Sequence, residues 1–292
     1  MTIVATFDEG PGAGLGHRRR CEFIATALRA RDFQVTLVPI GTTIDARVVL
    51  VDSYRERADD RRRFRSRAVV ALDDLARDLD VALVVDPAPG ASSAPHRRAG
   101  RVLAGSRFAL VDPALGAEHV RSVEQEPSRL LVATGAADGE GTGAAIATAI
   151  AARYPALRVR LVVGPWGAPG AAGTDLVGVE LVERPDGLAT ELAAADIVVT
   201  AGGVTLLEAL CLGRPTVAIA TAANQRSNVE GAAAAGAVLV ADPCHAASTA
   251  ARIIHSAALR TELSSAAVAL VDGRGAERVG DAIHDLILRC AA

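Results

Sequence analysis

The sequence predicts an α/β protein built from two doubly wound, Rossmann-like domains, and three observations support this fold class. Short β-branched runs alternate with longer amphipathic stretches, the pattern of parallel strands covered by helices. This rhythm stops over residues 113–128, which collect Gly, Glu, Gln and Pro, and then restarts. The chain has 292 residues, 50% of them hydrophobic, which is enough for two cores. We therefore predict domains at 1–112 and 129–292, joined by a linker at 113–128 and facing each other across a cleft.

In the first half, the buried strands are predicted from runs rich in Val, Ile, Leu and Ala. These strands are 2–7, 34–39, 47–51, 68–72, 81–85 and 107–111. A helix is predicted over 18–31, because Cys21, Ile24 and Leu28 recur at steps of three and four residues on one face. The charged run from Arg55 to Arg67 is predicted as a solvated helix face.

The second half repeats the alternation with clearer boundaries. Its predicted strands are 129–133, 158–163, 177–182, 196–200, 215–220 and 237–240, and its predicted helices are 141–153, 187–194, 204–212, 225–235, 246–257, 259–271 and 276–289. A Pro/Gly-rich loop is predicted at 164–174. In such sheets a ligand binds beyond the carboxyl ends of the strands, so strand ends are where site residues are sought.

Composition excludes several classes of protein. All 31 basic residues are Arg, so chemistry that needs a lysine is excluded, including Schiff bases and the P-loop. Aromatic residues make up 3% and the net charge is −3, which argues against a nucleic-acid partner. The four cysteines are scattered, with no C-x-x-C and no His at metal-ligand spacing, which argues against a disulfide frame or a zinc site. We expect neither a metal ion nor another cofactor. No apolar run is long enough to span a bilayer, and we expect a cytoplasmic protein without membrane insertion.

A glycine-rich loop follows the first strand and ends in a histidine at the start of the first helix. The loop runs Gly10-Pro11-Gly12-Ala13-Gly14-Leu15-Gly16-His17. It does not match the dinucleotide motif G-x-G-x-x-G, because His17 or Leu15 stands where the third glycine belongs. His17 is a candidate general base at the mouth of the sheet, and Gly14 and Gly16 let a substrate approach the backbone. The alternative is a histidine bonded to its own backbone near the helix cap.

A Gly-Gly turn follows the buried strand at 196–200 and precedes a helix. Free backbone N–H groups at Gly202, Gly203 and Thr205 can hold a phosphate, and Glu208 lies one turn further along, in reach of ribose hydroxyls. The alternative for Glu208 is an exposed surface residue. The pair Asn224-Gln225 starts the next predicted helix, either as a further nucleotide contact or as a cap.

Two strand ends in the first half carry further polar residues. Asp52 and Tyr54 follow one strand, and Asp73 and Asp74 follow the next. They fall at the same sheet edge as His17, which makes Asp52 and Asp74 candidate substrate contacts; N-caps and a half-buried tyrosine are the alternatives. Adjacent carboxylates on a strand point to opposite faces, so the Asp pair is a poor metal chelate.

Taken together, these segments resemble the GT-B superfamily, in particular the UDP-sugar hydrolase of the pseudaminic acid pathway and the spore-coat-polysaccharide proteins, and more distantly the lipid II N-acetylglucosaminyltransferase. The matching residues, in chain order, are Gly14-Leu15-Gly16-His17 with Arg20-Cys21, Val51-Asp52-Ser53-Tyr54, Leu72-Asp73-Asp74, Ala201-Gly202-Gly203 with Thr205 and Glu208, Leu212-Gly213-Arg214-Pro215, and Asn224-Gln225. The resemblance implies that His17 is the catalytic base and that Tyr54 lines the sugar site. It also implies that the Gly-Gly helix, its Glu and the Asn-Gln pair hold UDP.

The chain departs from this family in its first loop, after Tyr54, and at Ala133-Thr134-Gly135, where a Gly-Gly-x-Asp turn is usual. These departures affect the acceptor side rather than the UDP side. We therefore expect an inverting, metal-independent glycosyltransferase that moves a sugar from a UDP-sugar to a small acceptor; the composition suggests a natural-product pathway, with a nucleobase as one such acceptor. The alternative is a UDP-sugar hydrolase, with water as nucleophile. A non-catalytic nucleotide-sugar binding module is a third interpretation, against which His17 and Tyr54 speak.

Overall fold

The computed structural model describes residues 2–41, 43–117, 123–136, 138, 140–167, 176–183 and 187–289. Its strands are β1 (Thr2–Phe7), β2 (Gln34–Pro39), β3 (Ile44–Asp45), β4 (Val48–Asp52), β5 (Phe64–Arg65), β6 (Ala68–Leu72), β7 (Leu83–Asp86), β8 (Val102–Ala104), β9 (Arg129–Ala133), β10 (Arg158–Val163), β11 (Val179–Glu183), β12 (Ile197–Ala201), β13 (Thr216–Ile219) and β14 (Leu239–Val240). Its α-helices are α1 (Gly16–Arg29), α2 (Thr142–Arg153), α3 (Ala189–Ala194), α4 (Val204–Cys211), α5 (Arg226–Ala234), α6 (Ala246–His255), α7 (Ala257–Leu270) and α8 (Gly275–Arg289).

The first sheet is parallel, with the strand order β2-β1-β4-β6-β7-β8. Its central strand β4 is buried at every residue, as expected for a parallel strand covered on both faces. The strand order changes direction between β1 and β4, where Phe7 pairs with Asp52. The carboxyl ends of strands on either side of such a switch point leave a crevice for a ligand.

The second sheet is also parallel, with the order β11-β10-β9-β12-β13-β14. Counted along the chain this is 3-2-1-4-5-6, the order of dinucleotide-binding Rossmann domains. Its switch point lies between β9 and β12, where Thr200 pairs with Ala133. The core consists of these strands packed against α2 and α6. The predicted α/β class with two doubly wound domains is confirmed.

Two predicted elements of the first half are wrong. Residues 55–67 contain turns and the short strand β5 instead of a helix, because the backbone carbonyl of Asp60 accepts from the N–H groups of Arg63 and Phe64 and the Phe64 side chain is buried, 2% exposed, in the core. Residues 107–111 do not form a strand: a 3₁₀ turn covers Ser106–Phe108, and the edge strand is β8, just before it. The hydrophobic pattern of a short apolar segment near a sheet edge does not distinguish a strand from a helical turn.

The predicted linker is described in part, since residues 118–122 lie outside the described residues, as do residues 168–174 of the predicted Pro/Gly-rich loop. Pro113–Ala117 forms a 3₁₀ helix. The buried guanidinium of Arg260 donates to the backbone carbonyls of Glu124 and Gln125, with Nη2–O distances of 3.1 and 2.5 Å. The segment before β9 is thus held by a side chain of α7.

The chain divides into two compact units, one of Met1–Pro113 with Gly273–Ala292 and one of Ala114–Asp272. The sequence assigned the whole of 129–292 to the second domain, whereas α8 is grouped with the first. The reason is close packing: a Cβ built on Gly275 would lie 2.0 Å from the Ala109 carbonyl oxygen. In addition, Arg31 Nη2 lies 2.6 Å from Asp281 Oδ1.

This packing predicts that Gly275→Ala destabilises the first unit. The added methyl group cannot fit beside the Ala109 backbone, and overpacking of this kind costs about 1–3 kcal/mol. The matched control is Gly12→Ala, because a Cβ on Gly12 meets no atom within 4 Å. Denaturant titration of both variants measures the free energy of unfolding, and equal values for the two would contradict the packing described for α8.

Candidate active site

The glycine-rich loop after β1 is a closed turn that ends at the start of α1. The N–H of Gly14 donates to the Gly10 carbonyl at 2.8 Å, and both glycines have positive φ angles, 72° and 124°. This conformation strains any other residue. Gly16 is the first residue of α1, so the turn places His17 in the first helical turn, above the ends of β1 and β4.

His17 is held by an aspartate from the neighbouring strand. Its Nδ1 lies 2.6 Å from Asp52 Oδ1, His17 is 3% exposed, and Asp52 is fully buried. The bond joins α1 to the carboxyl end of β4 across the switch point. The predicted alternative, a histidine bonded to its own backbone, is not what this geometry gives.

Arg20 completes this arrangement from the next turn of α1. Residues three apart lie on one helix face, so Arg20 reaches the same carboxylate as His17. Its Nε and Nη2 lie 2.9 and 2.7 Å from the two oxygens of Asp52, and its Nη1 lies 2.6 Å from Asp74 Oδ2. Burial lowers the pKa of Arg20, but the charges of Asp52 and Asp74 outweigh burial and raise this pKa well above its ordinary value.

Tyr54 connects His17 to Asp74. The rings of His17 and Tyr54 meet edge to face with centroids 4.3 Å apart, and the Tyr54 hydroxyl donates to Asp74 Oδ2 at 3.0 Å. Burial raises the pKa of Asp74, yet the Arg20 charge and the hydrogen bonds from Arg20 and Tyr54 outweigh burial and hold it below its usual range. Asp74 is therefore ionised at neutral pH.

Asp8 positions the backbone around Tyr54, a role that the sequence reasoning missed. The buried Asp8 Oδ2 accepts from Ser53 Oγ at 2.9 Å and from the Tyr54 N–H at 2.8 Å. Arg55 Nε donates to Asp8 Oδ1 at 3.1 Å. The signal available in the sequence was an acidic residue directly after β1, on the strand paired with β4.

A second polar cluster lies further along the same sheet edge. Asp73 is bonded to the guanidinium of Arg77, so the adjacent carboxylates of Asp73 and Asp74 have separate partners. His96 Nε2 lies 3.4 Å from Asp86 Oδ2, and its Nδ1 lies 3.0 Å from the Arg77 carbonyl oxygen. Burial is the main reason that the pKa of Asp86 is raised to about 6, and the nearby Asp74 charge adds to it.

In the second unit, the Gly-Gly turn opens α4 as predicted. A Cβ on Gly202 would lie 2.6 Å from Val229 Cγ2 and 2.8 Å from the Gln225 carbonyl oxygen, so only glycine fits there. A Cβ on Gly203, the N-cap residue of α4, would meet no atom within 4 Å. The prediction of free N–H groups at Gly202 and Gly203 is wrong, because these groups donate to the carbonyls of Ile219 and Ala201 at 3.1 and 2.9 Å. The first N–H groups of α4, near Thr205, are of the kind that bind anions at helix starts.

The other helix start at this switch point already has a carboxylate. Asp138 Oδ1 accepts from the Thr142 N–H at 3.0 Å, and its Oδ2 accepts from the Gly143 N–H at 2.7 Å. The start of α2 is therefore neutralised from within the chain. The helix that follows β12, α4, instead has a glycine at its N-cap position, which supplies no capping side chain of its own.

Glu208 is buried in α4 with 6% exposure, which makes the alternative of an exposed surface residue wrong. Asn224 and Gln225 form a 3₁₀ turn (Ala223–Gln225) before α5, and Gln225 Oε1 accepts from the Thr221 N–H at 3.0 Å. A residue that the sequence reasoning missed, Asn228, is buried and donates from Nδ2 to the Gly202 carbonyl at 2.8 Å. It fixes the Gly-Gly turn against α5.

The structure thus brings the predicted residues of the first half into one connected group: His17, Asp52, Tyr54 and Asp74. In the second half, Glu208 lies in α4, the Gly202-Gly203 turn directly precedes that helix, and Gly202 packs against Gln225. Among the described residues, no group of three or more His, Cys, Asp or Glu side chains could hold a metal ion. No helix in the described part of the chain is long and apolar enough to cross a membrane.

Comparison with known proteins shows what class of fold this is. No known family model matches the chain, and no curated protein matches its sequence. Solved structures do match over nearly the whole chain. The S. aureus MnaA–UDP co-structure has a TM-score of 0.66 at 12% identity, covering 98% of this chain and 96% of that one. CalG4, the calicheamicin glycosyltransferase, has a TM-score of 0.65 at 14% identity, covering 100% and 99%.

A third match is the spinosyn rhamnosyltransferase SpnG complexed with thymidine diphosphate. Its TM-score is 0.61 at 18% identity, and it covers 94% of this chain and 96% of that one. At such identities the likeness defines the fold: the chain has the GT-B architecture of two Rossmann-like α/β domains. The narrower resemblance to the UDP-sugar hydrolase and spore-coat-polysaccharide family stays a prediction.

The raised pKa of Asp86 predicts a pH-dependent contribution to stability. A carboxyl group that titrates near 6 when folded and near 4 when unfolded binds its proton more tightly in the folded state. Its contribution is present below about pH 4 and is lost as the pH rises through about 6. Asp86→Asn removes this loss, so its free energy of unfolding should rise relative to wild type, by about 2–3 kcal/mol, between pH 4 and pH 7.

The measurement is denaturant unfolding of both proteins at closely spaced pH values. The control is Asp80→Asn, since the Asp80 side chain is 52% exposed and its replacement leaves the cluster intact. Parallel pH curves for Asp86→Asn and wild type would show that the folded protein does not hold the Asp86 proton in this way.

Proposed function

We propose that the chain is a glycosyltransferase that moves a sugar from a UDP-sugar to a small acceptor, with inversion at the anomeric carbon and without a metal ion. The observation that carries the proposal is the buried His17–Asp52 bond of 2.6 Å at the switch point of the first sheet. The GT-B fold is consistent with it, and CalG4 and SpnG, which share that fold, are named as glycosyltransferases.

The proposal assigns the nucleotide to the second unit. The diphosphate would lie at the start of α4, near Thr205, next to the Gly202-Gly203 turn, where the N-cap residue Gly203 has no side chain of its own. When the bond between the sugar and the phosphate breaks, negative charge grows on the leaving diphosphate. The positive end of α4 stabilises that charge, which is the role that a metal ion has in other enzymes.

Glu208 and the Asn224-Gln225 turn are assigned to the rest of the nucleotide. Glu208 lies one turn into α4, and Gln225 contacts the Gly-Gly turn, so both segments lie close to the same helix start. Carboxylate and amide groups suit ribose hydroxyls and the base. MnaA and SpnG are named with UDP and thymidine diphosphate respectively, so both nucleotides belong in the test.

The proposal assigns proton transfer to His17. With Nδ1–H donated to the Asp52 carboxylate, the Nε2 lone pair is the basic site of the imidazole. Nε2 takes the proton from the acceptor nucleophile as that atom forms its bond to the anomeric carbon. Asp52 is a positioning residue that fixes the ring and its tautomer, and Arg20 in turn fixes Asp52. Tyr54, Gly14 and Gly16 would line the sugar and acceptor side.

The class of reaction is tested by incubating the protein with UDP- and TDP-sugars in EDTA, with and without small acceptors, and measuring nucleotide release and the sugar product. We expect release that depends on an acceptor and continues in EDTA. Free sugar released at full rate without any acceptor identifies the hydrolase instead. Loss of activity in EDTA with recovery in Mg²⁺ would disprove the role given to α4.

Glu208→Ala should weaken UDP binding, since a hydrogen bond to a charged group is worth about 1.5–3 kcal/mol.

The role of His17 predicts that His17→Asn lowers kcat by about 10²–10⁴-fold, the usual contribution of a general base. UDP affinity should stay close to wild type, because the nucleotide is assigned to the other unit. The control is His245→Asn, at an exposed histidine. If His17→Asn keeps most of the activity, the base must be sought among Asp52, Asp73 and Asp74.

A further inference from the structure

One carboxylate oxygen in the group around His17 is left without a partner. Asp74 Oδ2 accepts from both Arg20 Nη1 and the Tyr54 hydroxyl, at 2.6 and 3.0 Å. Asp74 Oδ1 is also buried, but it has no hydrogen-bond partner among the described residues. The Asp74 side chain as a whole is 4% exposed. A buried polar atom of this kind is costly unless something outside the chain donates to it.

Because Asp74 is charged, leaving its Oδ1 atom without a hydrogen-bond donor costs more than it would for a neutral group. The Arg20 charge holds the pKa of Asp74 below its usual range despite burial, so the group is an ionised carboxylate at neutral pH. Arg20 cannot neutralise it alone, because the same guanidinium is also bonded to both oxygens of Asp52. One positive charge therefore serves two carboxylates.

The other charged groups at this sheet edge do not neutralise the excess negative charge. Asp8 is paired with Arg55, and Asp73 is paired with Arg77. Asp86 has His96 as its partner at 3.4 Å, and the negative charge of Asp74 contributes to the raised pKa of Asp86. The five aspartates at this edge thus face three arginine guanidinium groups in the described structure. The excess negative charge is centred on Asp74 and Asp86.

We propose that Asp74 is the residue that selects the acceptor, and that the acceptor is a small amino alcohol whose protonated amine donates to Asp74 Oδ1 while a hydroxyl is presented to His17. This rests on the proposed function, because an acceptor exists only if the sugar is transferred. An amino sugar or an aminocyclitol has this chemistry.

The spacing of the side chains supports a single small molecule. Tyr54 contacts the His17 ring through its own ring and the Asp74 carboxylate through its hydroxyl, so the proposed base and Asp74 share one tyrosine neighbour. A neutral hydroxyl could also donate to Oδ1. The ammonium group is favoured because it alone offsets the excess charge, and charged partners form the stronger hydrogen bond to a carboxylate.

The experiment uses acceptors in matched sets: glucosamine and galactosamine against glucose and galactose, with the N-acetylated amino sugars as neutral controls. Initial rates of nucleotide release are measured for wild type with the sugar nucleotide that shows turnover. We expect the amines to have kcat/KM values at least about tenfold above their neutral counterparts.

Asp74→Asn is then compared with Asp80→Asn, the same substitution at an exposed carboxylate of the same unit. Asp74→Asn should bring amine and neutral acceptors to within about twofold of each other, mainly through a higher KM for the amines. Asp74→Asn should bind UDP as tightly as wild type does. The control Asp80→Asn should keep the acceptor selectivity of wild type. Since the preference of wild type is measured without any substitution, the test stands even if Asp74→Asn folds poorly.

Equal kcat/KM values for amine and neutral acceptors in wild type overturn this inference and leave the transferase intact. Amine selectivity that persists in folded Asp74→Asn also overturns it. Acceptor-independent hydrolysis that no amine accelerates overturns it as well, and it replaces the transferase by the hydrolase. Failure of the protein to bind or turn over any UDP- or TDP-sugar counts against the proposed function itself.

Discussion

The first unit depends on one shared cation. Arg20 is the only basic group of the described structure bonded to both Asp52 and Asp74, and it bridges the ends of β4 and β6 from a helix that follows β1. Without it, two buried carboxylates would repel each other at the centre of the sheet edge. With it, the Asp52 carboxylate is fixed by two hydrogen bonds, and His17 has a rigid partner. The orientation of the imidazole is thus a consequence of how Arg20 divides its hydrogen bonds.

The site residues could be predicted from the sequence, because parallel strands bring their carboxyl ends to one edge of the sheet. His17, Asp52, Tyr54 and Asp74 were all found in this way, and the structure connects them. Arg20 belongs to the segment that resembles the family, but no role was predicted for it, because it is the last of three consecutive arginines and nothing in the run distinguishes the buried one from its neighbours. Its position three residues after His17, on the same helix face, was the available signal.

The errors have a common physical cause. Residues 55–67 carry enough alternating charge to suggest a helix, but Asp60 closes a turn through its backbone carbonyl and Phe64 is buried in the core. Likewise α8 has ordinary helical periodicity, and only the fit of Gly275 against Ala109 assigns it to the first unit. Tertiary packing determines the structure of residues 55–67 and the unit to which α8 belongs, and the local sequence pattern does not report on such packing. The Asp86–His96 contact is similar, since it joins a strand end to a long loop without regular spacing.

The electrostatics of the two units explain why each would take a different substrate. The first sheet edge has more carboxylates than guanidinium groups, so a diphosphate would meet repulsion there, whereas a cationic or hydrogen-bond-donating molecule would not. In the second unit, α4 starts at a glycine N-cap, which supplies no capping side chain of its own, whereas Asp138 already neutralises the start of α2. The positive end of α4 therefore suits an anion better than the start of α2 or the first sheet edge. The proposed sugar transfer needs positive charge for the leaving diphosphate and a base held by negative charge for the attacking nucleophile, and this division of charge between the two units is consistent with that proposal.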